Sequence, residues 1–418
     1  MIKSSCKKIL SYGLLSLVIA GCSSTQRQSV RNVNDNYRPV ILVSIDGFKP
    51  DYLARGVTPA LNALAAEGVR TEAMHPSFPS ITFPNHYTLV TGLRPDHHGI
   101  VGNTMEDSKI PGVRFKLSNK EAVLDRRWWD GAEPVWVTAE KNKVKTGIMF
   151  WPGSEAAIQG VRPSEYRPFD EKLPAVTRVD TMLSWLDKPV ADRPGFLTVY
   201  FDQVDHAGHD FGPDTKEVTD AAAAVDAAIA HLMEGLRARN IKANIVIVSD
   251  HGMAATGPER TILLDQLADP AGYEVVNYGS YAGINPKAGQ EDALARILLK
   301  KHEHMQCWKK EDIPERFHFG QNARVQRFVC SADVGWLVVP DAKAATKANN
   351  GSHGYDNLSK EMQALFIAHG PAFKKATVLP PFDNVNVYPL LMKLIKVPAL
   401  ASDGNIEATQ AALLERAD

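Results

Sequence analysis

Apolar positions in this chain fall into two rhythms. Residues 39–45 (PVILVSI), Phe196–Phe201 (FLTVYF), 243–248 (ANIVIV) and 364–368 (ALFIA) are short, nearly unbroken apolar runs. Such runs predict strands covered on both faces, as parallel sheets require. Between them lie stretches with helical spacing. Thr58 precedes Pro59, with Leu61 and Leu64 inside and Gly68 as a stop, which predicts a capped helix. Residues 216–237 carry Val225, Ile229, Leu232 and Leu236 one helical turn apart, with an alanine-rich stretch at 220–230. Val387–Ile395 reads as a last helix packed on the sheet. Strand and helix alternate, so the expected fold is α/β with a central, mostly parallel sheet flanked by helices.

The first residues follow another logic. Lys3, Lys7 and Lys8 form a basic head before an apolar run at 9–20, too short to span a membrane comfortably. Ile19-Ala20-Gly21-Cys22 resembles a bacterial lipobox, with Cys22 as the lipidated residue. The expected division is a signal peptide at 1–21, a polar tether at 22–38 and one catalytic domain at 39–418. A plain secretory signal or an uncleaved anchor is the alternative. The expected location is the cell envelope, lipid-anchored, with the outer membrane favoured by Ser23. Loss of residues 1–21 removes three lysines and no acid, so the net charge of −1 becomes −4. No nucleic-acid groove or polybasic patch is implied. Beyond the tether only Cys307 and Cys330 remain. In an exported chain, with no zinc-ribbon spacing, they are expected to form a disulfide closing a surface loop.

The chemistry gathers where the apolar runs stop. The first ends in Asp46, the second leads through Asp202 to Asp205-His206-Ala207-Gly208-His209, and the third into Asp250-His251. Ligands of open α/β sheets bind at that carboxyl edge. One such acid is an ordinary strand-end cap. Asp46, Asp205, His209, Asp250 and His251 together are costly to group without a cation, and a divalent metal is the economical answer. His353, in a glycine-flanked loop, supplies a sixth ligand, and imidazole with carboxylate suits catalytic zinc. His97, His98, His302 and His304 read as surface residues, His369 as structural or supporting, and His206 as ambiguous. Ahead of Phe83-Pro84-Asn85-His86 stands Thr82. Pro84 suits a first helical position, and 85–91 reads as a short helix stopped by Gly92. Thr82 then lies at a helix N-terminus, where an anion is favoured. It is either a nucleophile toward phosphate or an ordinary cap.

Seven motifs in order resemble the nucleotide pyrophosphatase/phosphodiesterase family of the alkaline phosphatase superfamily: VSIDGFKPDYL, PSITFPNHYTLVTGLRPDHHGIVGN, WPGSE with RPSEY, VDHAGHDFGP, VIVSDHGM, SHGYDN and NVNVYPLLMKL. The resemblance implies an alkaline-phosphatase-like fold and two zinc ions. Asp205, His209 and His353 would hold one; Asp46, Asp250 and His251, with Thr82, would hold the other. Thr82 would be the nucleophile, giving a covalent nucleotidyl-threonine that water hydrolyses. Asn103 and the backbone N–H of Phe83 would donate to a phosphoryl oxygen. Phe83, Tyr166 and Tyr200 would line a nucleoside pocket, and the product would be a nucleoside 5′-monophosphate. Three alternatives stay open: a phosphomonoesterase, a phospholipid-head-group diesterase, and a metal-binding lipoprotein without turnover. A monoesterase would want an arginine over the phosphate, and none stands beside Thr82 in the sequence.

Overall fold

A computed structural model describes residues 37–415. The expected signal peptide, Cys22 and nearly all of the tether lie outside the described residues. No described helix is long and apolar enough to cross a membrane.

Eight strands form the main sheet: β1 (Val40–Ile45), β2 (Val69–Thr71), β3 (Thr146–Met149), β4 (Glu165–Arg167), β5 (Phe196–Phe201), β6 (Asn244–Val248), β7 (Phe366–His369) and β8 (Thr377–Leu379). Their order across the sheet is β8-β2-β7-β6-β1-β5-β3-β4. β6, β1, β5, β3 and β4 run parallel, in register from Val40 opposite Phe196 and Asn244. β7 is antiparallel to both its neighbours. The apolar run at 364–368 thus yields a strand that opposes the rest, a direction its composition does not encode. Every residue of β1, β5 and β6 is buried, as their unbroken apolar sequences require.

Helices cover both faces. One core holds Val40 and Leu42 with Tyr87 and Leu89 of α2 (Thr82–Thr91), and the helix Val387–Ile395 packs into it; the expected last helix is followed by one more short helix, Glu407–Gln410. The other holds Ile41, Val43 and Ile45. It is covered by α1 (Pro59–Glu67), α3 (Ala175–Leu186), α4 (Gln203–Phe211) and α5 (Lys216–Ala238). Thr58 makes no side-chain cap on α1. Asp226 of α5 takes that role, accepting from the Ala60 and Leu61 amides at 3.0 and 2.8 Å.

α2 begins earlier than its sequence predicts. Ile81 is the flanking residue, Thr82 opens the first turn, and Pro84 occupies the third position. Pro84 is tolerated there because that amide would be unpaired in any case. Gly92, left-handed at φ 67°, ends the helix as expected.

Between β6 and β7 the chain builds a smaller four-stranded antiparallel sheet. Its order is Tyr273–Asn277, Tyr281–Pro286, Phe328–Ala332 and Met305–Lys309. Ala282, Ile284, Phe328 and Cys330 belong to its own buried core. Cys307 and Cys330 form a disulfide, and they face each other directly across adjacent strands. The expected surface-loop closure is corrected accordingly. Both residues are buried, so the bond staples the inside of the small sheet.

Candidate metal centre

The carboxyl ends of β1, β5 and β6 converge on one buried point. Asp46 follows β1 and Asp250 follows β6, one residue after Ser249. Asp205 and His209 lie four residues apart on α4, hence on one helix face. His206 points elsewhere: it is exposed, its Nδ1 3.6 Å from Glu171 and 3.7 Å from Asp202. Gly47 makes the convergence possible. Its φ is +67°, and a Cβ there would lie 3.1 Å from the Asp205 backbone. Its amide also donates to Asp250 Oδ1 at 3.3 Å. Gly351 does the same for the His353 loop, since a Cβ there would overlap the Gly208 carbonyl of α4.

Each of the three central imidazoles is fixed by a backbone carbonyl. Nδ1 of His209 meets Gly351 O at 2.8 Å, that of His251 meets Gly252 O at 2.9 Å, and that of His353 meets Ser80 O at 3.0 Å. A carbonyl accepts only, so Nδ1 carries the proton and Nε2 is left with a lone pair. The three bare nitrogens face carboxylates. His251 Nε2 lies 3.0 Å from Asp250 and 3.4 Å from Asp46. His209 and His353 each place Nε2 3.5 Å from Asp205, and 3.1 Å from each other.

Asp46 Oδ1, Asp205 Oδ1 and Asp250 Oδ2 are buried without a hydrogen-bond partner. Buried carboxylate oxygens facing lone-pair nitrogens repel one another unless a cation lies between them. The electrostatics says the same. Burial, then the charges of Asp250 and Asp205, push the Asp46 pKa well above the carboxylate range. On His251 burial acts downward and the charge of Asp250 upward, with a net rise. The donor set therefore fits divalent metal. Two groupings are close enough for one ion each, Asp46–Asp250–His251 and Asp205–His251–His353. The second contains His251 where the sequence reading has His209. His209 Nε2 stands within the same knot, so the structure brings together all six expected ligands, with His251 central to both halves.

Thr82 Oγ1 reaches this cluster, 3.3 Å from His251 Nε2. Asn103 is also in place, but its partner differs from expectation. The Phe83 amide donates to Asn103 Oδ1 at 2.9 Å and is thereby engaged. That bond uses the Asn103 carbonyl oxygen and leaves Nδ2 as the donor end of the side chain. Phe83 is half-buried against Phe115 and Trp129, each ring centroid 5.9 Å away. Tyr166 is half-buried on β4, with the Arg162 guanidinium 5.7 Å from its ring. Tyr200, expected in the nucleoside pocket, turns its hydroxyl to Asp46 Oδ2 at 2.6 Å. Burial and then the charge of Asp46 push its pKa upward, so it remains a donor to a ligand carboxylate.

Two supporting residues carried no assigned role. His86 is fully buried, its Nε2 2.8 Å from Ser44 Oγ and its Nδ1 2.9 Å from Thr82 O and 3.3 Å from Asp250. It stands four residues after Thr82 on α2, a spacing that could have flagged it. Arg178 is a buried cation that donates to Asp202 at 2.6 Å and to the Tyr200 carbonyl at 3.0 Å. Asp202 thus serves an internal ion pair and is not drawn to the metal site. His98 corrects the surface reading: it is fully buried, accepting from the Ile100 amide and facing Thr88 and Pro84 through Nε2.

Residues 40–356 match the family model described as type I phosphodiesterase / nucleotide pyrophosphatase. The chain is 40% identical over 383 residues to an uncharacterized pyrophosphatase/phosphodiesterase of Schizosaccharomyces pombe, covering 88% of this chain and 79% of the relative. It is 37% identical to ectonucleotide pyrophosphatase/phosphodiesterase family member 3 of Bos taurus, over 94% of this chain and 46% of the relative. The chain thus spans about half the length of the bovine protein. Among solved structures, an inactive threonine-to-alanine variant of murine ectonucleotide pyrophosphatase/phosphodiesterase 5 in complex with AMP superposes with a TM-score of 0.86. It is 33% identical and covers 90% of this chain and 100% of that one.

Proposed function

The chain belongs to the nucleotide pyrophosphatase/phosphodiesterase family of the alkaline phosphatase superfamily, a family of hydrolases, and from that premise we propose that it cleaves nucleotide phosphodiester or pyrophosphate bonds to release nucleoside 5′-monophosphates. The observation that carries the reading is Thr82 Oγ1 at 3.3 Å from His251 Nε2, inside a cluster of buried, unpartnered carboxylate oxygens. Two zinc ions fit this donor set. One would be held by Asp46, Asp250, His251 and Thr82, the other by Asp205, His209 and His353. When bound, they supply charge stabilisation for the attacking and leaving oxygens of an in-line displacement.

The chain's own groups do the rest. Thr82 Oγ bonds to phosphorus as the bond to the leaving oxygen breaks, giving a nucleotidyl-threonine ester. Water then attacks phosphorus and returns the hydroxyl to Thr82. Asn103 Nδ2 donates to a non-bridging oxygen, held for that task by the Phe83 amide. Phe83 and Tyr166 offer aromatic faces for the base. That the murine neighbour is in complex with AMP supports a nucleotide as the ligand. Anchorage at Cys22 in the cell envelope belongs to the same proposal, and loss of lipid labelling in Cys22→Ser tests it.

Thr82→Ala tests the function. It removes the nucleophile while Asp46, Asp250 and His251 remain for that ion, so it keeps the fold and largely keeps the metals but loses hydrolysis of a chromogenic nucleotide diester. Activity above about a hundredth of wild type would mean that water attacks directly.

A further inference from the structure

The segment just ahead of the nucleophile, residues 76–81, runs against the loop that carries His353, residues 353–357. Four contacts join them. The Ser80 carbonyl accepts from His353 Nδ1 at 3.0 Å, and the Ser80 hydroxyl donates to the Tyr355 carbonyl, also at 3.0 Å. Between these bonds Gly354, at φ +108°, lets the two backbones close up, since a Cβ there would lie 2.9 Å from Ile81 Cγ2. Asn357 Nδ2 donates to the Pro76 carbonyl at 3.0 Å. Ser80 and Tyr355 are fully buried, so losing the hydroxyl leaves a buried carbonyl short of its donor.

Each side of this junction is stiff. On the nucleophile side, Asn85 of α2 gathers the segment. Its Oδ1 accepts from the Ser77 amide at 2.7 Å, and its Nδ2 donates to the carbonyls of Pro79 and Ile81 at 3.0 and 2.9 Å. The segment is therefore fixed to α2, whose first residue is Thr82. On the ligand side, Ser280 Oγ, from the turn before Tyr281–Pro286, donates to the His353 carbonyl. The two sides meet again at the ligands. The His353 and His251 rings stack with centroids 3.5 Å apart, and Thr82 Oγ1 is 3.3 Å from His251 Nε2.

Thr82 belongs to one half of the site and His353 to the other, on chain segments far apart in sequence. A misplacement of about 1 Å between reacting groups can cost about a hundredfold in rate. We propose that Ser80 is a positioning residue, locking the nucleophile segment to the His353 loop and so fixing how far Thr82 stands from the ligands of the Asp205 half. This rests on the two-metal reading given above and adds the group that holds its halves in register.

Ser80→Ala and Ser77→Ala make a matched pair for the test. Each removes one buried hydroxyl from the same segment, but Ser77 Oγ donates to Asn384 Oδ1 at 3.0 Å, away from the His353 loop. Both variants lower the denaturation midpoint. Only Ser80→Ala gives up one of its two metals to a chelator about ten- to a hundredfold more readily. Only Ser80→Ala lowers kcat at saturating zinc, by about the same factor, with KM for a nucleotide diester little changed. Ser80→Cys fills the space of the hydroxyl but donates weakly; it shows the same two losses, and it decides the matter should the alanine variant not fold. Equal metal release from the two alanine variants, or a kcat for Ser80→Ala that recovers fully at saturating zinc, overturns the lock and leaves the proposed function standing. Wild type that turns over no nucleotide overturns the proposed function, and metal release alone then decides the lock.

Discussion

Replacing Tyr200 by Phe removes one oxygen atom, the donor to Asp46 Oδ2 at 2.6 Å. Asp46 is fully buried and its other oxygen has no hydrogen-bond partner, so the Tyr200 hydroxyl is its strongest fixed contact in the structure. A hydrogen bond to a charged group contributes about 1.5–3 kcal/mol. At about 1.4 kcal/mol per tenfold, the variant holds metal at Asp46, Asp250 and His251 about ten- to a hundredfold more weakly. Removing the partner of a metal-ligating group has effects of that order elsewhere. Chelator competition, followed by metal released per chain, measures it. kcat at saturating zinc should recover, because no group that touches substrate is lost. The opposite pattern refutes the reasoning. Unchanged metal affinity, with kcat/KM falling for nucleotide diesters but not for a small diester, would return Tyr200 to the nucleoside pocket that the sequence suggests.

Metal removal should abolish hydrolysis, with zinc restoring it better than magnesium because the donors include imidazole nitrogen. Elemental analysis should find two metals per chain, and Asp250→Asn and His353→Ala should each lose about one of them. His98 makes a pH prediction. Burial drives its pKa from 6.5 to about 3, so the folded protein keeps it neutral while the unfolded chain takes up a proton near 6.5. Its contribution is complete above that pH and is lost as pH falls toward 3, with a slope of up to about 1.4 kcal/mol per pH unit. His98→Gln should flatten the denaturation midpoint between pH 6 and 4; an unchanged slope would show that His98 does not govern it.

The centre of the main sheet was legible because strands buried on both faces must be apolar throughout. β1, β5 and β6 meet that demand, and their ends hold the acids. The gathering of these acids and imidazoles was legible for the same reason, since the ends of parallel strands share one sheet edge. Direction was not legible: β7 is antiparallel, and nothing in Phe366–His369 distinguishes it from a parallel strand. The small sheet was missed because its short strands, Tyr273–Asn277 among them, mix exposed with buried positions. His98 was misplaced because an Asp-His-His run reads as surface, while the short helix Pro95–His98 turns one of the two histidines inward. Tyr200 shows the limit of motif transfer. Its position near the site was foreseeable, but its hydrogen bond to Asp46 depends on the register of β1 against β5, where Ser44 lies opposite Tyr200.

The central claim is that Thr82 carries the nucleotidyl group between two displacements. The most direct measurement is the stereochemical course at phosphorus, read with a nucleotide diester made chiral by sulfur and isotopic oxygen. Each in-line displacement inverts the configuration, so attack by Thr82 followed by water predicts overall retention. Overall inversion would mean a single attack by water and would contradict the account, even with both metals bound and Thr82 in place.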